Sequence, residues 1–282
     1  MKFRKVLPLL LIVAVVATIA VACAPKETAA PVVDHFASIN AIKKAGKIVI
    51  GTSSGYFPFE MVDKNGKLIG FDIDLGNLIA KELGVKAEWK DIEDFTGLVP
   101  ALRAGQLDLI IAGMTIKASR ALEVNFTTPY FATGQAVLVN KDKVKGMNIT
   151  KAADLDKAGV VISVSNGTTG HFAAERLFKK ATIRVMDGST TAGLEVLSGN
   201  ATAMVFDLDW IAIYAIDNPA KTFALLEPLT VENLGIAVRP GQADLLYWLN
   251  TFLTEYVGNE DYMERYDYYF EAMPWKADMP SG

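Results

Sequence analysis

Three short stretches of this sequence place charged or hydrogen-bonding groups where an apolar run ends. Leu109-Ile-Ile-Ala112 breaks at Gly113, with Thr115 and Arg120 shortly after it. A run of this kind reads as a strand buried on both faces, and ligands of open α/β sheets sit beyond the carboxyl ends of such strands. Glycine lets a backbone approach a ligand without a Cβ in the way, and arginine presents a planar fork suited to a carboxylate. Val160-Val-Ile-Ser-Val164 ends in Ser165-Asn-Gly-Thr-Thr-Gly170, a loop opening a helix whose first N–H groups suit an anion. Ala203-Met-Val-Phe206 ends in Asp207, suited to an ammonium, though alone it reads as a helix N-cap. A guanidinium and a helix N-terminus for a carboxylate, with an acid for an ammonium, is the charge pattern of an α-amino acid zwitterion. Tyr56, Phe57, Phe59 and Phe95 lie near the ends of the first two strands. Tyr56 and Phe95 are candidate walls for a ligand side chain; Phe57 and Phe59 read as core.

The elements that must position these groups follow a repeating pattern. A short helix over 40–45 precedes a strand over 47–52, a hairpin turns at Asp63-Lys-Asn-Gly66, and a helix over 73–83 stops at Gly84. Strand 86–91, helix 95–104 and the strand opening at Leu109 complete βαβ units, which imply a parallel sheet. Ser119 and Arg120 read as the start of a further helix. A second α/β pattern runs from the strand over 134–140, through 160–164, 182–186 and 203–206, to 222–226, with helices over 171–180, 190–199 and 210–216 between. Leu234-Gly-Ile-Ala-Val-Arg239 then returns the chain, and helices over 243–257 and 259–270 close it, with Trp275 packing the tail. The second domain is therefore inserted into the first, with crossings near 131–136 and 232–237. That is a hinge architecture with a cleft for a small ligand.

Bulk properties bound the function. The chain has 282 residues, 51% hydrophobic and 21% charged, which is globular composition. Lys2, Arg4 and Lys5 precede an apolar run from Val6 to Ala22, the pattern of a secretory signal, and Cys23 follows as the sole cysteine. Without those three cations, 25 basic residues face 32 acidic ones, a net charge of −7, which disfavours nucleic acid as a partner. The only histidines are His35 and His171, so no Ser-His-Asp triad and no metal cluster is arguable, and neither metal nor cofactor is expected. His171 reads as a solvated residue in a helix's first turn.

The motifs in this order resemble a known family. Gly70-Phe-Asp-Ile-Asp-Leu75, followed by Ile79-Ala80 and Leu83, is similar to the signature of the family 3 extracellular solute-binding proteins, the polar amino acid receptors of ABC importers. The likeness runs from Ile48 to about Phe270. It implies an α/β, two-domain periplasmic-binding-protein (Venus flytrap) fold, each domain a mainly parallel sheet flanked by helices, joined by two hinge strands. Domain 1 would comprise 39–132 and 236–282, and domain 2, with the hinge strands, 133–235. Thr52 with Tyr56-x-Pro58-Phe59 resembles the first ligand loop, and Asp94-Phe-Thr-Gly-Leu-Val-Pro100 the second, implying that Phe95 stacks on the ligand. Ala112-Gly-Met-Thr-Ile-x-x-x-Arg120 resembles the carboxylate loop, implying Gly113, Met114, Thr115 and Arg120. Thr168 and Thr169 match the loop that also holds the carboxylate, and Asp207 the acid that holds the ammonium. Ala20-Val-Ala-Cys23 resembles a lipobox, with Ala20 where leucine is usual. It implies cleavage after residue 22, acylation of Cys23 and a tether over 23–38, hence a monomeric periplasmic or cell-surface protein that touches the membrane only through its lipid.

Two departures bear on the ligand. Ser53 stands where relatives that bind basic amino acids or glutamine carry an aspartate, and Lys117 stands close before Arg120. Both lean towards a neutral or polar side chain. A rival function on the same scaffold is a cyclohexadienyl or arogenate dehydratase, but those enzymes carry a glutamate shortly after the second-domain Gly-Thr. Here no acid follows Gly167 until Glu175. A chemosensory receptor is a further alternative.

Overall fold

The structure, a computed structural model, describes residues 34–280. The signal over 1–22, Cys23 and most of the tether lie outside the described residues. From Phe36 onwards the chain forms one unit built on two five-stranded sheets.

The first sheet is assembled by βαβ steps. After α1 (Ala37–Ala45) come β1 (Lys47–Thr52), the hairpin β2 (Met61–Val62) and β3 (Leu68–Ile69), then α2 (Phe71–Leu83), β4 (Lys86–Asp91), α3 (Leu98–Arg103) and β5 (Leu109–Ile110). The strands β4, β1 and β5 are parallel neighbours. The returning β14 (Ala237–Val238) extends the sheet antiparallel to β5, and β6 (Asn125–Phe126) closes the edge antiparallel to β14. Ile48, Ile50, Leu109 and Ile110 are fully buried, as strands covered on both faces must be. α1 opens at Ala37, ahead of the expected start at Asn40, because the Asp244 carboxylate accepts the N–H groups of Ser38 and Ile39 at 2.9 and 3.0 Å.

Domain 2 repeats the plan. β8 (Gln135–Asn140), β9 (Val161–Ser165), α4 (Thr169–Leu177), β10 (Thr182–Met186), α5 (Ser189–Leu197), β11 (Ala203–Asp207), α6 (Leu208–Asp217) and β12 (Thr222–Leu225) follow in order. They give the sheet order β10-β9-β11-β8-β12, with β8 antiparallel to both its neighbours. Val137, Val139, Ile162, Val164, Ala203 and Val205 fill a core of their own. Two crossing strands, β7 (Phe131–Thr133) and β13 (Glu232–Leu234), pair antiparallel between the sheets. α7 (Ala243–Tyr256) and α8 (Glu260–Tyr266) then pack on domain 1. Phe59 and Trp275 are buried in the large core, and Phe57 stacks on Trp210 with centroids 4.9 Å apart. That is the core role read for both phenylalanines.

Three elements are shorter than the sequence pattern indicates. β5 stops at Ile110, since the chain turns away at Gly113 with φ +52°. The helix expected over 95–104 begins as a separate tight turn, Phe95–Gly97, closed by the Asp94 side chain accepting the Thr96 N–H. Arg120 opens only one turn, Arg120–Leu122, and the 88% exposure of Leu122 shows that it has no apolar face to bury.

Candidate functional site

One cavity lies between the domains, lined by residues from the carboxyl ends of strands in both sheets. From domain 1, the chain leaving β1 supplies Ser53, Ser54 and Tyr56, that leaving β4 supplies Glu93 and Phe95, and that leaving β5 supplies Gly113, Thr115 and Arg120. Gly113 is required by geometry as well as conformation. A Cβ there would sit 2.1 Å from Cε1 of Tyr56, and φ is positive, so the ring closes directly over the bare backbone. Ser53 Oγ donates to the Glu93 carbonyl at 3.3 Å, and Ser54 donates to Asp91 through both its N–H and its hydroxyl.

Arg120 is half-buried, with its Cζ 5.3 Å from the Phe95 ring centroid, a cation–π arrangement. Its Nη1 donates to the Thr115 carbonyl at 2.9 Å and its Nη2 to the Gly167 carbonyl of domain 2 at 3.1 Å. Burial lowers its pKa, and Glu232 and Asp207 oppose that shift.

Domain 2 brings Ser165, Thr168 and Thr169 after β9, Asp187 to Ser189 after β10, and Phe206 with Asp207 from the end of β11. Thr168 caps α4 by accepting the His171 N–H at 3.2 Å, which orients the helix N-terminus at the cavity. Thr169 Oγ1 accepts from Gln135 Nε2 at 3.2 Å and lies 3.4 Å from Thr115 Oγ1 across the cleft. Asp207 stands at the N-cap position of α6 but makes no side-chain cap. Its carboxylate instead accepts from the Tyr56 hydroxyl of domain 1 and from Gln135 Nε2. Burial pushes the Asp207 pKa up to about 7, against the lowering effect of those two hydrogen bonds. Tyr56 is raised well above its ordinary value by burial and by Asp207. At the cavity edge, the Gly55 carbonyl of domain 1 accepts from Ser189 Oγ at 2.9 Å and Trp210 Nε1 at 3.3 Å of domain 2.

Nine of the ten sequence-predicted site residues line this cavity: Ser53, Tyr56, Phe95, Gly113, Thr115, Arg120, Thr168, Thr169 and Asp207. Met114 does not. Its side chain is 1% exposed, packs with Leu98, Leu102 and Ile110, and borders a separate outer groove. The alternation of an extended backbone explains this, since neighbours of the inward-facing Thr115 point to the opposite face. Lys117 borders the same outer groove and does not line the cavity. His171 is less solvated than expected: its side chain is 13% exposed, with Nδ1 accepting the Gly167 N–H at 3.3 Å.

The sequence reading missed Glu60, Glu93, Asp187 and Gln135. Asp187 directly follows β10 and Glu93 comes two residues after β4, and the strand-end rule applied to those strands as well would have found them. Gln135 and Glu60 carried no such signal. Gln135 reaches Asp207 because the two are register partners across β8 and β11, and Glu60 sits in the hairpin approach to β2. The lining thus holds one cation, Arg120, against four acidic side chains, Glu60, Glu93, Asp187 and Asp207.

Comparisons with known proteins bear on the family and the fold. Residues 48–272 match the model of the bacterial extracellular solute-binding proteins, family 3. A probable histidine-binding protein of Neisseria gonorrhoeae is 33% identical over 230 residues, which is 80% of this chain and 84% of that one. Among solved structures, a putative binding component of an ABC transporter from Wolinella succinogenes, complexed with lysine, superposes with a TM-score of 0.78 at 38% identity. It covers 82% of this chain and 99% of its own. An ancestral amino acid-binding protein, described as a precursor of cyclohexadienyl dehydratase, gives a TM-score of 0.75 at 38% identity, over 83% of this chain and 99% of its own.

Proposed function

The chain belongs to the bacterial extracellular solute-binding proteins of family 3, and on that premise we propose that it is an extracytoplasmic receptor that binds an L-amino acid between its domains and delivers it to the membrane permease of an ABC importer. Arg120, the Thr115 and Thr169 hydroxyls and the α4 N-terminus hold the α-carboxylate. Asp207 and the Gly113 carbonyl hold the α-ammonium, and Tyr56 and Phe95 wall the side chain. The observation that carries this reading is that Arg120 and Asp207 come from different domains yet line one cavity. A ligand touching both favours the closed arrangement by its differential affinity for it, a population shift and not a reaction. Acylated Cys23 anchors the receptor at the periplasmic or cell-surface face of a membrane, and it works as a monomer. Among the described residues no helix is long and apolar enough to cross a membrane.

The bound side chain is cationic. The α-carboxylate satisfies Arg120 and the α-ammonium satisfies Asp207, while burial raises the Glu60 pKa well above its ordinary value and so disfavours its charge. Glu93 and Asp187 then remain as unmatched negative charges in the lining, replacing the acid that Ser53 lacks. The relatives named for histidine and complexed with lysine support the same class. Calorimetry of protein refolded free of carried ligand, run against the standard L-amino acids, tests this. Arginine, lysine or histidine should bind most tightly, and binding of none would refute the receptor.

A dehydratase is the second reading, because one structural neighbour is described as a precursor of such an enzyme. That neighbour is itself described as amino acid-binding, and here Gly167 is followed by Thr168, Thr169, Gly170 and His171, with no acid. Incubation with prephenate or arogenate should leave the absorbance unchanged; turnover would establish the enzyme.

A further inference from the structure

Beneath the cavity, two carboxyl groups lie within hydrogen-bond reach of one another inside domain 1, Glu60 at 1% exposure and Asp72 at 0%. Asp72 belongs to the first turn of α2, which Gly70 lets start against the backbone of Phe59: a Cβ on Gly70 would lie 2.1 Å from the Phe59 carbonyl oxygen. Asp72 Oδ2 accepts the Gly113 N–H at 2.7 Å and the Tyr130 hydroxyl at 2.8 Å. The remaining oxygens Asp72 Oδ1 and Glu60 Oε2 are buried and have no donor among the described residues. Two ionised carboxylates are acceptors only and repel each other, so one proton between them is the arrangement that satisfies both.

We infer that Glu60 and Asp72 form a carboxylic acid–carboxylate pair sharing one proton, and that this pair positions the Gly113–Thr115 loop for its ligand. The inference rests on the receptor reading for the identity of that ligand. The neighbours acting on the pair electrostatically are the acids Asp91 and Asp207 and the phenols Tyr56, Tyr130 and Tyr262, so a proton does what a cation would do elsewhere. Burial raises Glu60 well above its ordinary value and Asp72 to about 6. Asp72 Oδ2 already accepts two hydrogen bonds that favour its charged form, whereas Glu60 Oε2 accepts none, so the geometry assigns the shared proton to Glu60, which donates to Asp72 as the third of its donors. One of these is Tyr130, whose N–H bonds the Leu234 carbonyl at the foot of the crossing strands. The pair thus links the ligand loop to the hinge.

Infrared difference spectra at neutral pH, unliganded wild type minus Glu60→Gln, should show a protonated-carboxyl band that belongs to Glu60 and is separate from that of Asp207, whose pKa of about 7 leaves it partly protonated in both proteins. Hydrogen exchange at the Gly113 amide should accelerate at least about tenfold in Asp72→Asn, which loses the charged acceptor. In titrations with L-arginine, Asp72→Asn should bind at least about tenfold more weakly. Glu60→Gln, which still donates towards Asp72 but cannot titrate, should bind closer to wild type than Asp72→Asn does. A difference spectrum without that band, or Gly113 exchange unchanged in Asp72→Asn, would overturn the pair. Where Asp72→Asn does not fold, the Glu60→Gln spectrum decides alone. Failure of wild-type protein to bind arginine would count against the proposed ligand class instead, since the band and the exchange rate are read without ligand.

Discussion

The two domains present their halves of the cleft by opposite means. In domain 2 the sheet ladder runs to the end of its strand: β11 pairs with β8 through all five residues, up to Asp207 opposite Gln135. The binding groups there are side chains standing on completed secondary structure, and the cross-strand partner supports the acid. In domain 1, β5 pairs with β1 over only two residues. The chain beyond it is released from the ladder, leaving the side-chain-free backbone of Gly113 on the cavity wall. A freed loop needs other restraints, and here they are the Asp72 carboxylate, the Tyr56 ring over Gly113 and the Thr115–Leu234 bridge. A rigid scaffold can therefore offer a side chain directly, but to offer backbone it must end a strand early and pin the loop beyond it.

The sharpest way to break this contrast is to remove the charged group on either side. Arg120→Ala and Asp207→Asn should each weaken ligand binding about a hundredfold or more by calorimetry, the loss of a charge-assisted hydrogen-bond set worth about 3 kcal/mol. The Asp207 effect carries a pH signature. Its pKa is raised to about 7 without ligand, and an ammonium partner favours the ionised form. Below that pH the ligand must expel a proton, so affinity should fall by up to about tenfold per pH unit as pH drops from 7. In Asp207→Asn that component should vanish. Next in size, Gly113→Ala forces a Cβ against Tyr56 at positive φ, and a cost of about 1–3 kcal/mol should appear as a lowered Tm together with weaker binding. The smallest effect belongs to domain 2: Thr168→Ala removes a helix cap worth about 1 kcal/mol, and should lower Tm slightly while leaving affinity within a few fold.

Much of this was legible in the sequence, for identifiable reasons. The βαβ order, the inserted second domain and both crossings show as alternating apolar runs, because each strand is buried and each helix ends at a turn residue. Arg120, Gly113 and Asp207 could be read because they come directly after those runs. Glu93 and Asp187 were equally readable by the same rule, and without them the lean towards a neutral or polar ligand rested on Ser53 and Lys117 alone. What periodicity could not show depends on pairing between distant segments. Gln135 matters only through its register with Asp207, and Glu60 through its proximity to Asp72. Met114 fell on the wrong face because β5 ends at Ile110 and the backbone beyond it belongs to no run.

The proposed recognition is of a zwitterion clamped between Arg120 and Asp207 with a cationic end towards Glu93 and Asp187. Paired titration of L-arginine and L-citrulline, near-isosteric and differing in side-chain charge, tests this most directly. Arginine should bind at least about tenfold more tightly, a difference of ~1.4 kcal/mol, and Glu93→Gln with Asp187→Asn should narrow the gap. Equal affinities, or a preference for citrulline, would contradict it.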